Sequence, residues 1–333
     1  MMRAAFLTPV LLLLAACGGE DAGIAQPEAH AACQSDIVVP RPGSTDGMIH
    51  IPGGTMLMGA KPIHGEEGPP TNVTVTAFYI DRTTVTNAQF AAFVEETGYV
   101  TVAERANSSI VFAGSGRIGQ LDDPSQWWRL VEGASWRAPF GPGSTIEGRE
   151  TYPVVHVGYA DALAYAQWLG RDLPTEAEWE FAARGGIDGA LYTWGNTPPD
   201  DATKRGNIWQ GLFPVSDSGA DGFAAQLAPV GCFPANGFGL YDMAGNAWQW
   251  TKDLFVPNLS ADAPPSPHEA LASTIDPANP DAPRRVIKGG SFLCADNYCY
   301  RYRPAARTGA GEGDGASHIG FRTVLRVTEG GSP

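Results

Sequence analysis

Cys294 and Cys299 stand with four residues between them in the stretch KGGSFLCADNYCYRYRPAAR, Lys288 to Arg307, with Arg301, Arg303 and Arg307 close behind them. On a strand the two side chains would point to opposite faces, and on a helix they would sit about 140° apart, so the thiols converge only if the chain turns between them. Asp296 and Asn297 are residue types that tolerate such a turn. Three chemistries then compete. A disulfide across so short a loop removes little entropy from the unfolded chain and would stabilise a large domain only modestly. A reactive dithiol is the second, since nearby arginines lower a thiol's pKa, although those arginines would serve equally well in ion pairs. The third is a metal site: two thiolates with no adjacent histidine make a poor zinc set but a good soft pair for Cu(I). The spacing leaves all three open.

The elements that must present these residues belong to a glycine- and proline-rich chain. The two types supply 41 and 27 of 333 residues, about a fifth of the chain against roughly 12% in average proteins, which predicts many turns and little regular structure. The chain opens MMRAAFLTPVLLLLAACGG, with one arginine before a short apolar run. We expect residues 1–16 to be a secretory signal and Cys17 a lipobox cysteine, acylated and membrane-anchoring, which makes the protein an exported bacterial lipoprotein on the periplasmic side or the cell surface. Residues 17–47, small and polar with interspersed prolines, are expected to form a disordered tether, and residues 48–330 a single folded domain. The net charge of -14 argues against nucleic acid as a partner, because phosphate contacts need clustered cations. It also raises the expectation of bound calcium.

Three helices are predicted. In TNAQFAAFVEETGY, Thr86 caps, Phe90, Phe93 and Val94 share a face, and Gly98 supplies the left-handed stop. ADALAYAQWLG carries the stripe Ala162, Tyr165, Ala166 and Leu169. LPTEAEWEFAARGG places Thr175 and Glu178 at capping-box spacing ahead of Gly185 and Gly186. TNVTVTAFYI alternates as one half-buried strand. Beyond Gly186 short strands and long loops are expected, an α+β class.

These segments, together with NIWQGLFPVSDSGADGF, NGFGLYDMAGNAWQW and IGFR, closely resemble the formylglycine-generating enzymes, or sulfatase-modifying factors, over Met48 to Val327. The resemblance implies a C-type-lectin-related α+β fold with little secondary structure. It implies an oxidase that converts a cysteine of an unfolded sulfatase polypeptide, within Cys-x-Pro-x-Arg, to Cα-formylglycine using molecular oxygen and Cu(I), through a thioaldehyde that water hydrolyses. Cys294 and Cys299 match the copper ligands, Ser291 and Trp248 the residues flanking the oxygen-side pocket, and Tyr298 and Tyr300 would line the substrate groove. A first calcium site would use Asn207, Asp221 and the carbonyls of Ile208 and Phe223. A second maps to Asp242, Gly245, Ala247 and Gln249, where better-known members carry Asn first and Glu last.

Pro304, Thr323 and Ala183 stand where animal homologues have structural cysteines, and Ala295 where a histidine is common. Cys33 and Cys232 are left as a further pair that could bond. Of the competing readings, a non-catalytic surface lipoprotein would have no use for both thiols. An iron-dependent sulfoxide synthase would want clustered histidines, and none of His30, His50, His64, His156, His268 and His318 forms a His-x-x-x-His pair. A thiol-disulfide oxidoreductase usually shows Cys-x-x-Cys.

Overall fold

The computed structural model describes residues 24–34, 37–114, 123–199, 204–257, 275–276 and 279–327. Strands β1 (Met48–Ile51), β2 (Gly54–Met58), β3 (Thr71–Val75) and β4 (Phe78–Asp81) precede helices α1 (Asn87–Thr97) and α2 (Val102–Ala106). The ribbon β5 (Ser108–Phe112) and β6 (Trp128–Glu132) leads to α3 (Tyr159–Trp168) and α4 (Glu176–Arg184). Six strands follow: β7 (Trp248–Leu254), β8 (Ile275–Asp276), β9 (Asn279–Lys288), β10 (Arg307–Gly311), β11 (Ile319–Gly320) and β12 (Val324–Arg326). The class is α+β with little regular structure, and among the described residues no helix follows α4.

The three expected helices form where their caps place them. Thr86 and Gln89, and Thr175 and Glu178, make reciprocal capping boxes, and Gly98 and Gly185 end α1 and α4 in the left-handed conformation. Such caps satisfy backbone groups that a helix end leaves unpaired. The apolar stripes of α1 and α3 are buried in one core cluster that also holds Trp248, Cys294 and Cys299. Helix α2, which the sequence reading missed, is five residues between a Thr101–Glu104 box and a left-handed Asn107, too short to show a period. The segment read as one strand is two, β3 and β4, paired in different sheets. The chain crosses itself at the break: a Cβ on Gly53 would lie 2.7 Å from both the Val75 carbonyl oxygen and the Ala77 nitrogen.

The sheet that matters to the cysteines has the order β10-β9-β7-β11, with β8 also on β9. Its one parallel pairing sets Ile319 beside Trp248 and Gly320 beside Gln249, so residue 318 is brought to the start of β7. A second sheet has the order β1-β4-β12, and β2-β3 and β5-β6 form two-stranded ribbons.

The tether expectation needs correcting where it can be seen. Gln26 exchanges hydrogen bonds with the backbone of Thr145 at 2.7 and 2.9 Å, the His30 amide donates to the Tyr152 hydroxyl, and Cys33 is disulfide-bonded to Cys232. Further on, Gln89 donates to the Val38 carbonyl and Arg171 to that of Ser44. The arm stays largely exposed, but Gln26 and Gln34 each bond to the body's backbone. The proposed signal segment and Cys17 lie outside the described residues. Among the described residues no helix is long and apolar enough to cross a membrane.

Candidate active site

Strand β9 delivers the cysteine segment through Gly289 and Gly290, both at positive φ. A side chain at Gly289 would meet the Trp179 ring at 3.0 Å and one at Gly290 the Tyr302 backbone nitrogen at 3.0 Å, so glycine is required twice. The chain then folds on itself around one acceptor: the Ala295 carbonyl receives the amides of Tyr298, Cys299 and Tyr300 at 3.2, 3.0 and 2.9 Å. Asn297 fastens this turn to the body, accepting from the Phe213 amide and donating to its carbonyl, both at 3.1 Å. Asp296 accepts the Tyr302 hydroxyl. The turn residues marked by type thus bring the thiols together: Cys294 and Cys299 have Cα atoms 4.7 Å apart and are joined as a disulfide in this structure.

The sulfurs border a cavity of about 260 Å³ whose wall also includes Trp128, Trp248, Ser291, Leu293, Tyr298, Arg301 and His318. Ser291 and Trp248 line the same cavity as the two sulfurs. The Ser291 amide points at the Cys294 sulfur, 3.5 Å away, and its hydroxyl oxygen accepts the Leu293 amide. Tyr298 lies stacked on Phe213 at 4.1 Å and remains 44% exposed at the rim. Tyr300 is not on this wall; its hydroxyl bonds to that of Tyr192. Trp128 and His318 were missed, because residues 128, 248, 291 and 318 meet only through sheet pairings and loop crossings that no local pattern encodes.

Ion pairing accounts for the three arginines. Arg303 pairs with Glu67, both side chains fully buried; Arg307 pairs with Glu176; Arg301, the one on the cavity wall, pairs with Glu66 at 2.7 Å. Arg301 also donates to the Cys299 carbonyl at 3.4 Å, so a cation stands beside that cysteine, a placement that favours thiolate.

A copper ion needs deprotonated soft donors that converge. Once reduced, Cys294 and Cys299 are such a pair, and the donor set fits Cu(I). For calcium the two candidate sets differ. In the first, Asp221 accepts the Phe223 amide with one carboxylate oxygen, while the other is buried without a partner. Burial raises its pKa, the expected behaviour of a carboxylate lacking its counter-charge. Asn207 is buried alongside, its side-chain nitrogen donating to Gln226 and Asn246, and the set fits a hard cation. In the second, the Gln249 side-chain oxygen already accepts Trp179 Nε1 and Arg322 Nε, each at 2.7 Å. With both lone pairs engaged, one of them by a buried guanidinium, that oxygen is not free for a metal. Asp242 keeps one unpartnered oxygen and its pKa is pushed up to about 6 by burial, but the set of Asp242, Gly245, Ala247 and Gln249 does not fit calcium as a whole.

The body is loop-built and α+β, with a cysteine pair at the wall of a cavity. The model described as "Sulfatase-modifying factor enzyme 1-like domain" matches residues 34–327, and the chain belongs to that family. The formylglycine-generating enzyme of Thermomonospora curvata is 48% identical over 301 residues, 86% of this chain and 97% of that protein. The family likeness extends to the protein named inactive C-alpha-formylglycine-generating enzyme 2 of Mus musculus, 42% identical over 285 residues, 83% of this chain and 84% of that protein. Among solved structures, PvdO from Pseudomonas aeruginosa aligns with a TM-score of 0.57 at 26% identity, covering 84% of this chain and 94% of that one.

Proposed function

We propose that this protein oxidises a cysteine of an unfolded sulfatase polypeptide, within Cys-x-Pro-x-Arg, to Cα-formylglycine, with molecular oxygen as oxidant and Cu(I) held by Cys294 and Cys299. The observation that carries the reading is the convergence of both sulfurs, with Ser291 and Trp248, on one cavity. Bound there, copper would supply the oxygen activation needed to break a Cβ–H bond, which no amino-acid side chain provides.

The protein's own residues do the positioning. The Ser291 amide, aimed at the Cys294 sulfur, stabilises that sulfur as thiolate. Arg301 stands beside Cys299, donating to its carbonyl while paired with Glu66. Trp128 and Trp248 supply the aromatic part of the cavity wall. The cavity admits a side chain and not a folded domain, so the substrate segment must be extended, as it is before a sulfatase folds. Converting the cysteine thiol to a thioaldehyde removes two electrons and two protons. Reducing dioxygen to water takes four electrons, so a thiol reductant must supply two more; the same reductant opens the Cys294–Cys299 disulfide.

We further propose that calcium is held by Asn207, Asp221 and the carbonyls of Ile208 and Phe223. Its role is structural: the Trp209 amide donates to the Cys294 carbonyl at 3.1 Å, which ties that loop to the cysteine turn. Calcium at a hundred times its dissociation constant should stabilise the fold by about 2.7 kcal/mol. The melting temperature should therefore fall on chelation in the wild type, and Asp221→Asn should abolish that difference. We propose from the sequence of the leader and Cys17 that the protein is an exported lipoprotein, periplasmic or cell-surface and membrane-anchored.

The function is tested by incubating the reduced, Cu(I)-loaded full chain under air with a Cys-x-Pro-x-Arg peptide and a thiol reductant. Mass spectrometry should show sulfur replaced by a carbonyl oxygen that reacts with hydrazides. A peptide left unchanged would leave only a binding module.

A further inference from the structure

His318 lies in the cavity wall with both cysteines, and neither the sequence reading nor the mechanism above gives it work. Its backbone is fixed from three sides. The His318 carbonyl accepts the Trp248 amide at 2.9 Å, the Ser317 amide donates to Ile110, and the Ser317 hydroxyl oxygen accepts the Phe112 amide. The ring rests against Trp128, centroids 4.7 Å apart. Within this clamp Nδ1 is buried and has no hydrogen-bond partner, which leaves Nε2 as the ring nitrogen open to the cavity. Burial keeps the imidazole neutral, its pKa lowered to about 3, so the ring carries one proton. On Nδ1 that proton would be a buried donor with no acceptor, a rarer arrangement in proteins than an under-used acceptor. The proton therefore belongs on Nε2.

We infer that His318 presents a fixed Nε2–H donor to the substrate peptide and holds a main-chain carbonyl next to the target cysteine. An extended peptide offers exactly such acceptors once it leaves water, and a neutral donor binds them without drawing a cation towards the two thiolates. Ser291, Arg301, Tyr298 and the indoles of Trp128 and Trp248 also carry polar groups on this wall; the Ser291 oxygen accepts the Leu293 amide, Arg301 is engaged by Glu66, Tyr298 stacks at the rim, and the Trp128 ring packs on His318 itself. The assignment rests on the proposed reaction and names a residue that positions its substrate.

The test exploits side-chain geometry: the glutamine amide nitrogen can stand at the place of Nε2, whereas asparagine reaches only to that of Nδ1. A labelled Ser-x-Pro-x-Arg peptide, unable to react, is titrated against the reduced, metal-free full chain by fluorescence anisotropy. Melting curves and Cu(I) uptake are recorded for each variant. His318→Gln should bind within about three-fold of wild type, and His318→Asn and His318→Phe about ten-fold or more weakly, with melting and copper uptake unchanged in all three. With the reactive peptide, the loss should fall on KM more than on kcat. Equal binding by the Phe variant, or no difference between Gln and Asn, would overturn the assignment while leaving the reaction intact. Wild-type protein that neither binds nor converts its peptide would sink the assignment and the function together.

Discussion

Replacing Cys299 by serine should lower formylglycine formation by at least about a thousand-fold and leave the folded protein otherwise intact, and Cys294→Ser should do the same. The size of the effect follows from the proposed roles: each sulfur would be half of a two-thiolate site, and a serine hydroxyl is neither soft nor ionised at neutral pH. A purely structural disulfide predicts the opposite ranking. Closing a loop of five positions stabilises by about 2 kcal/mol in the chain-entropy account, so its loss would nudge the melting temperature and hardly touch activity. Because the reaction itself consumes a thiol reductant, wild type and variants are compared at one saturating reductant concentration, by peptide conversion and by urea unfolding. Either single variant retaining full activity contradicts the ligand assignment.

Glu67→Gln is expected to destabilise the fold by about 3–5 kcal/mol, the largest stability effect we foresee for a single side chain away from the disulfides. Both members of the Arg303–Glu67 pair are at 0% exposure, and the guanidinium is bound twice by the carboxylate, once at 3.0 Å. Removing the negative partner strands a cation in the interior. Replacing both, Glu67→Leu with Arg303→Met, removes the desolvation problem along with the attraction, so the double variant should be more stable than Glu67→Gln alone. Arg303 Nε also donates to the Tyr300 carbonyl at 2.8 Å, just past the cysteine turn. Urea denaturation measures the stabilities, and Glu67→Gln within about 1 kcal/mol of wild type would show that water or a rearranged partner relieves the charge.

Much of this was readable before any coordinates. The Thr86 and Thr175 caps and the Gly98 and Gly185 stops located α1 and α4 because capping is local chemistry written in adjacent residues. Asp296 and Asn297 gave away the turn for the same reason. What stayed hidden is what depends on distant chain. Glu67 and Arg303 are separated by 236 positions, and nothing near either one names the other. His318 reaches the cavity because β11 pairs in parallel with β7, a register invisible in two-residue strands. The N-terminal arm was read as solvated from its composition, yet Cys33 is tied to Cys232 across 199 positions. Gln249 looked like a calcium ligand displaced by one exchange, and only the approach of Arg322 shows its oxygen already taken.

The central claim is that Cys294 and Cys299 together grip one Cu(I). X-ray absorption at the copper edge, on the reduced full chain with one equivalent of Cu(I) and no peptide, tests it most directly. The account predicts tight uptake of one copper per chain with two sulfur neighbours, and none in the Cys294→Ser variant. Copper bound by nitrogen or oxygen, or held equally well without Cys294, would contradict it.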